Sequence, residues 1–120
     1  ALLAHFYVRA GKLERARALL DDIDRYVPED YRAHDKWLAR KARAMLGIAR
    51  GDANQISELK EVYTTDLQPV STLADLAWAY QQLGKSKEAA EVARAYLKEP
   101  NPRRIDSDAF NLAAMRSLAR

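Results

Sequence analysis

The chain has 120 residues, of which 48% are hydrophobic, and this length allows one continuous core but not two independent ones. It contains no cysteine, which excludes both a disulfide framework and a cysteine-based metal site. Basic residues number 20 and acidic residues 17, and because these charges are interspersed rather than clustered, the net charge of +3 does not predict a nucleic-acid-binding surface.

The local pattern predicts an all-α chain. Helix-forming residues dominate, glycine and proline mark most predicted helix boundaries, and no apolar run with a period of two reaches the length of a strand. Seven helices are predicted, at residues 1–10, 12–25, 31–49, 53–64, 70–83, 85–98 and 106–119. No apolar stretch approaches the roughly 20 residues that a membrane-spanning helix needs, so no membrane insertion is predicted for this segment.

The first two predicted helices form a hairpin. Leu3, Ala4 and Tyr7 lie on one face of the first helix, and Gly11 supplies the left-handed residue that ends it. Ala16 in the second helix is a small residue that allows the two backbones to approach closely. The corresponding hairpin at residues 73–96, in the fifth and sixth predicted helices, has one apolar face left over, so such units require neighbours.

The third and fourth helices form a weaker copy of this hairpin around Gly51, with Ala44 before the turn and Ile56 after it. Gly47 stands where the first copy has a tyrosine. A shifted frame gives a better apolar stripe, which consists of Leu38, Ala42, Met45 and Ala49. The pattern leaves both registers of the third helix open.

The fifth and sixth helices form the clearest hairpin. The apolar residues of the two helices repeat at i, i+3, i+4 and i+7, and they are Leu73, Leu76, Ala77 and Tyr80, followed by Ala89, Val92, Ala93 and Tyr96. Gly84 ends the first of these helices, and Pro100 and Pro102 prevent the second from continuing. A fourth copy begins at Ala109-Phe110-Asn111-Leu112-Ala113 and stops before its second helix.

The turn glycines recur at a nearly regular spacing. Gly11 and Gly51 are 40 residues apart, and Gly51 and Gly84 are 33 apart. This spacing is close to a helix–turn–helix repeat of about 34 residues. With these motifs the chain resembles the tetratricopeptide repeat (TPR) family over essentially its whole length. The resemblance implies a right-handed α-solenoid of about three repeats plus a terminal helix. It implies one array over residues 1–120, excerpted from a longer protein, with repeats at approximately 1–30, 31–68 and 69–103 and a partial repeat at 104–120.

By the geometry of the TPR family, the first helix of each repeat lines a concave groove. The groove residues that this resemblance implies as partner-binding candidates are His5, Arg9, Lys41, Met45, Trp78, Gln81 and Gln82. Trp78 lies off the apolar stripe of its helix, so two interpretations stay open: it packs between repeats, or it anchors a peptide or stacks on a sugar ring.

Two charged surfaces are also predicted. The third helix carries basic residues, namely Lys36, Arg40, Lys41 and Arg43, and the second carries acidic ones, namely Glu14, Asp21, Asp22 and Asp24. Each surface either meets a partner of opposite charge or pairs with nearby side chains of the same chain. Because the last helix lacks a partner, Phe110, Leu112, Ala113 and Met115 are expected to leave apolar surface that favours weak end-to-end self-association.

The residues show no recognisable cluster for catalysis, metal binding or cofactor binding, so the leading hypothesis is a non-enzymatic scaffold for protein–protein interaction. A narrower hypothesis rests on resemblance in composition to the periplasmic TPR region of bacterial exopolysaccharide export porins of the Pel type. This resemblance implies a periplasmic location, a role in biofilm formation and docking of a polysaccharide-modifying enzyme. Two alternatives stay open: direct binding of carbohydrate or peptide in the groove, and a regulatory TPR segment of a transcription factor or sensor.

Overall fold

The computed structural model describes residues 2–26, 33–65, 69–99 and 107–120. Within these ranges every regular element is an α-helix, which confirms the all-α prediction for the described part of the chain. Pro100 and Pro102, which were predicted to prevent the sixth helix from continuing, lie outside the described residues, as does the side chain of Phe110.

The helices occupy the predicted segments, and each end lies within two residues of its predicted position. Their bounds are α1 Leu2–Arg9, α2 Leu13–Tyr26, α3 Ala33–Ala49, α4 Gln55–Thr65, α5 Pro69–Gln82, α6 Ser86–Lys98 and α7 Ser107–Leu118. Proline at the start of α5 is favourable because the first helical N–H has no partner within the helix.

The same backbone turn joins the two helices of each of three hairpins. Gly11, Gly51 and Gly84 have φ angles of 77°, 92° and 72°, which side chains rarely adopt. The N–H of Gly84 donates to the carbonyl of Gln81 at 3.1 Å, and the next N–H donates to the carbonyl of Tyr80 at 2.8 Å. This pair of bonds is the Schellman arrangement, which satisfies the last carbonyls of a helix.

The first two hairpins repeat these bonds with the same offsets. The residue after each glycine donates to the carbonyl five residues back, which belongs to Tyr7 in the first hairpin, Gly47 in the second and Tyr80 in the third. Gly47 therefore occupies the tyrosine position of the other two copies. In α3, Ala44 of one predicted register and Met45 of the other are both buried, whereas Leu38 and Ala49 of the shifted stripe are half-buried.

The chain divides into two compact units, residues 1–62 and 63–120, with the boundary inside α4. In the first unit, α1 and α2 pack against each other and both pack against α3. In the second, α5 packs on α6, and α7 packs on both. The same three-helix arrangement therefore occurs in each unit, a hairpin followed by a helix that contacts both of its members.

The core of the second unit is centred on α5, which is buried on all sides from Thr72 to Tyr80. Its main cluster consists of Leu73, Ala74, Ala77, Ala93, Tyr96 and Met115. Met115 was expected at an open apolar end, and this prediction is wrong because the residue packs into the core supplied by α5 and α6. Leu112 is partly buried against the same cluster, whereas Ala113 is exposed.

Candidate functional site

Three of the seven groove candidates lie in the interior. Met45 is fully buried, and the side chains of Lys41 and Trp78 are 3% and 8% exposed. The prediction that Lys41 contributes to a basic surface is therefore wrong. The ring of Trp78 offers no open face on which a sugar could stack in this conformation.

The other four candidates reach solvent at two places. His5 and Arg9 lie one turn apart on α1 and are half-buried, while Gln81 and Gln82 are exposed at the end of α5. The imidazole of His5 lies edge-on to the ring of Phe6, with 5.5 Å between the ring centroids. These groups can donate and accept hydrogen bonds.

Carboxylates of α2 bind Arg43 of α3 and Arg50, which follows α3. Arg43 donates through Nη2 to the carbonyl oxygen of Leu20 at 3.0 Å and to the carboxylate of Asp24. Just beyond the helix, Nη2 of Arg50 lies 2.7 Å from Oε1 of Glu14. The basic residues of α3 and the acidic residues of α2, which were predicted as separate surfaces, thus contact each other. This contact favours ion pairing within the chain over the binding of another molecule of opposite charge.

A second set of ion pairs joins α3 to α4. Arg40 donates through Nη2 to Oε2 of Glu58 at 3.1 Å, and its Nε donates to the other oxygen of the same carboxylate. Glu61 lies 3.4 Å from the same guanidinium. Such a bidentate contact fixes the relative orientation of the guanidinium and the carboxylate better than a single hydrogen bond does. Sequence reasoning missed these partners because their meeting depends on how neighbouring helices align.

The ion pairs lower the pKa values of two of the carboxylates, Glu58 and Glu14. The hydrogen bond from Arg40 holds the pKa of Glu58 below its ordinary value, against the opposing effect of partial burial. The pKa of Glu14 is also lowered, first by its hydrogen bond from Arg17 and to a smaller extent by Arg50. Both carboxylates are therefore charged at neutral pH.

An open cleft of about 420 Å³ lies between α3 and α4. It is lined by Arg40, Arg43, Ala44, Asn54, Gln55, Ser57 and Glu58. Several of its polar groups bond within the chain: Ser57 Oγ donates to the carbonyl of Asn54 at 2.9 Å, and Gln55 Nε2 donates to Asp52 at 3.2 Å. Among the described residues, its lining holds one carboxylate and no histidine.

The most exposed large apolar side chains of the described residues lie in the first unit. Leu3 and Phe6 of α1 are each 52% exposed, and Tyr26 at the end of α2 is exposed as well. Arg25 lies over the ring of Tyr26, 5.8 Å from its centroid. Leu3 was predicted as a packing residue of the hairpin, but half of its surface faces solvent.

Among the described side chains, no group of three histidines or carboxylates is placed to hold a metal ion. In the same part of the chain, no helix is long and apolar enough to span a membrane. No protein-family model, no curated protein and no solved structure matches this chain.

Proposed function

We propose that this chain is a segment of a TPR-type right-handed solenoid and acts as a non-enzymatic scaffold for protein–protein interaction. The observation that carries the proposal is the turn that recurs at Gly11, Gly51 and Gly84 with the same pair of hydrogen bonds. Helical hairpins that recur in this way stack side by side in solenoids and create extended surfaces for partners. Because Lys41, Met45 and Trp78 lie in the interior, the groove contacts of this proposal are His5, Arg9, Gln81 and Gln82.

The narrower form of the proposal is a periplasmic repeat segment of an exopolysaccharide export porin of the Pel type, which docks a polysaccharide-modifying enzyme. Its support is the alanine- and arginine-rich helical composition of the chain. Direct carbohydrate binding is less well supported, because Trp78, the aromatic side chain expected to stack on a sugar, is buried. No observation favours the regulatory alternative.

Site-specific photo-crosslinking in the native host tests the scaffold. A photoreactive residue replaces Gln81 in one variant and Arg9 in another, and Glu91, exposed on α6, is the control position. We expect both groove variants to form adducts with the same partner protein and the control variant to form none. If neither the Gln81 nor the Arg9 variant forms an adduct with a protein, the proposed groove is not the partner-binding surface.

Fractionation of the crosslinked cells tests the narrower form. A partner recovered from the periplasm and active on polysaccharide supports the export-porin interpretation. A partner confined to the cytoplasm removes that interpretation and leaves the general scaffold in place.

A further inference from the structure

The open cleft between α3 and α4 lies where the second hairpin departs most from the pattern of the third. Four positions in the first helix of a hairpin lie eleven, eight, seven and four residues before the turn glycine. They hold Leu73, Leu76, Ala77 and Tyr80 in α5, and Arg40, Arg43, Ala44 and Gly47 in α3. All four positions of α5 are buried, with at most 7% exposure. In α3, two arginines and a glycine therefore replace the three large apolar side chains that are buried in the third hairpin.

This replacement coincides with an opening in the structure. Arg40, Arg43 and Ala44 line the cleft of about 420 Å³, together with polar residues at the start of α4. A volume of this size is within the range of small-molecule sites in proteins. A position where a chain departs from its own packing pattern is also where a functional site is expected.

The charges of the cleft are compensated within the chain. Glu58 binds the guanidinium of Arg40 through both carboxylate oxygens, and Asp24 binds Arg43. Glu61 lies 3.4 Å from the guanidinium of Arg40. An added anion would have to displace one of these carboxylates, so the cleft favours an uncharged ligand.

Polar groups of both kinds nevertheless remain available in the cleft. The contacts of Arg40 with Glu58 and Glu61 use Nε and Nη2, which leaves the N–H donors of Nη1. The hydrogen bonds of Arg43 use Nη2, which leaves the N–H donor of Nε. The side-chain amide of Asn54 and Oε1 of Gln55 also have no hydrogen-bond partner among the described residues. The cleft therefore presents donors and acceptors side by side.

We propose that this cleft binds a short uncharged carbohydrate. A sugar hydroxyl both donates and accepts hydrogen bonds, so neighbouring hydroxyls can bond to the amides of Asn54 and Gln55 and to the remaining N–H groups of the arginines. Among the described lining residues Ala44 is the only apolar one, so the cleft offers no pocket for the side chains that anchor a peptide. The site shares no residue with the groove candidates and requires no contact with Trp78, so it does not depend on the proposed scaffold function.

Titration with neutral oligosaccharides, followed by NMR, tests the proposal. The probes are maltotriose, cellotriose and chitotriose, each added to the 120-residue chain up to about 100 mM, which is sufficient to detect a millimolar Kd. We expect at least one probe to shift the side-chain amide resonances of Asn54 and Gln55 in a saturable way. The Kd should be millimolar, because the cleft is open and its described lining has no aromatic ring on which a sugar could stack. The side-chain amides of Gln81 and Gln82 should not shift.

Two matched serine variants locate the binding. Ser57→Leu places an aliphatic side chain in the cleft and should weaken binding by roughly tenfold or more. Ser86→Leu makes the same change on the exposed start of α6 and should leave the Kd unchanged. Asn54→Ala, at an exposed position just before α4, should weaken binding by roughly two- to tenfold through the loss of hydrogen bonds to the sugar.

Three outcomes would overturn the proposal. The first is the absence of a saturable shift with all three sugars. The second is an unchanged Kd in Ser57→Leu and in Asn54→Ala, measured on variants whose amide spectra remain dispersed; Asn54→Ala decides if Ser57→Leu does not fold. The third is a shift at Gln81 and Gln82 in place of Asn54 and Gln55, which would assign carbohydrate binding to the groove. Saturable shifts with trialanine and with none of the sugars would assign the cleft to a peptide instead.

Discussion

At the scale of single residues, Gly47 shows how the second hairpin departs from the other two. It takes the position of Tyr7 and Tyr80, and a Cβ atom there would lie 2.8 Å from Cγ of Gln55. Such a distance is shorter than van der Waals contact, so a side chain at position 47 would require Gln55 of α4 to move. The departure from the repeat pattern thus has a packing reason.

Gly47→Ala tests this contact. Alanine normally stabilises a helix interior by about 0.5–1 kcal/mol relative to glycine, but the clash with Gln55 should reverse the sign and cost about 1–2 kcal/mol. In a Gln55→Ala background the same substitution should be stabilising, because the nearest remaining atom, Cβ, is 3.8 Å away. Urea unfolding of the four proteins measures both effects, and an equal effect in the two backgrounds would contradict the assigned contact.

The ion pair between Arg40 and Glu58 should make stability depend on pH. The pKa of Glu58 is lower in the folded chain than in the unfolded one, where it is about 4.3. Its contribution is therefore fully present above that value and is lost as the pH falls through the folded pKa. Because about a third of the Glu58 side chain is exposed, solvent screening limits the contribution to about 0.5–1 kcal/mol.

Comparison of wild type with Glu58→Gln gives the measurement. The variant should be less stable by that amount at pH 7, and the difference should shrink as the pH falls through the folded pKa of Glu58. Glu88→Gln, on an exposed carboxylate at the start of α6, is the control for the general effect of removing one negative charge. A difference between Glu58→Gln and wild type that persists unchanged at pH 3 would show that the ion pair is not its cause.

At the scale of elements, small buried residues set how closely paired helices approach. Ala77 and Ala89 are both buried at the contact of α5 with α6. Ala89→Leu should therefore destabilise the protein by about 1–3 kcal/mol through overpacking. Ala113→Leu, on the exposed side of α7, should change stability by no more than about 0.5 kcal/mol. Equal melting temperatures for the two variants would show that no close contact exists at Ala89.

The sequence predicted features that depend on neighbouring residues and missed those that depend on distant ones. Helix ends were predicted well because the left-handed glycines and their two hydrogen bonds are local. The burial of Lys41 and Met115 was missed, since it depends on which helix covers which face. Pairing of the α3 arginines within the chain was one of the two interpretations, but Asp24 was not identified as the partner of Arg43 for the same reason.

The candidate site was harder to predict than the fold. The groove positions came from the geometry of the TPR family, which indicates the direction in which a side chain points but not how deeply it is buried. Trp78 illustrates this, because periodicity placed it off the apolar stripe although α5 is buried on every side there.

At the scale of the whole molecule, the proposed solenoid predicts an elongated particle. A closed globular bundle of 120 residues should have a radius of gyration of about 14 Å. We expect small-angle X-ray scattering to give a larger value, together with a distance distribution that has an extended tail. A value at or below that of the closed bundle, measured on monodisperse protein, would overturn the solenoid.

The turn bonds have a consequence for how the chain acquires its structure during synthesis. Each turn closes with bonds that span at most five residues, so a hairpin completes its backbone pairing without waiting for distant sequence. Contacts this local are typical of chains that fold in microseconds to milliseconds, whereas ribosomes add about 5–20 residues per second. A nascent chain can therefore form each hairpin soon after it leaves the ribosomal exit tunnel, before the next one has been translated.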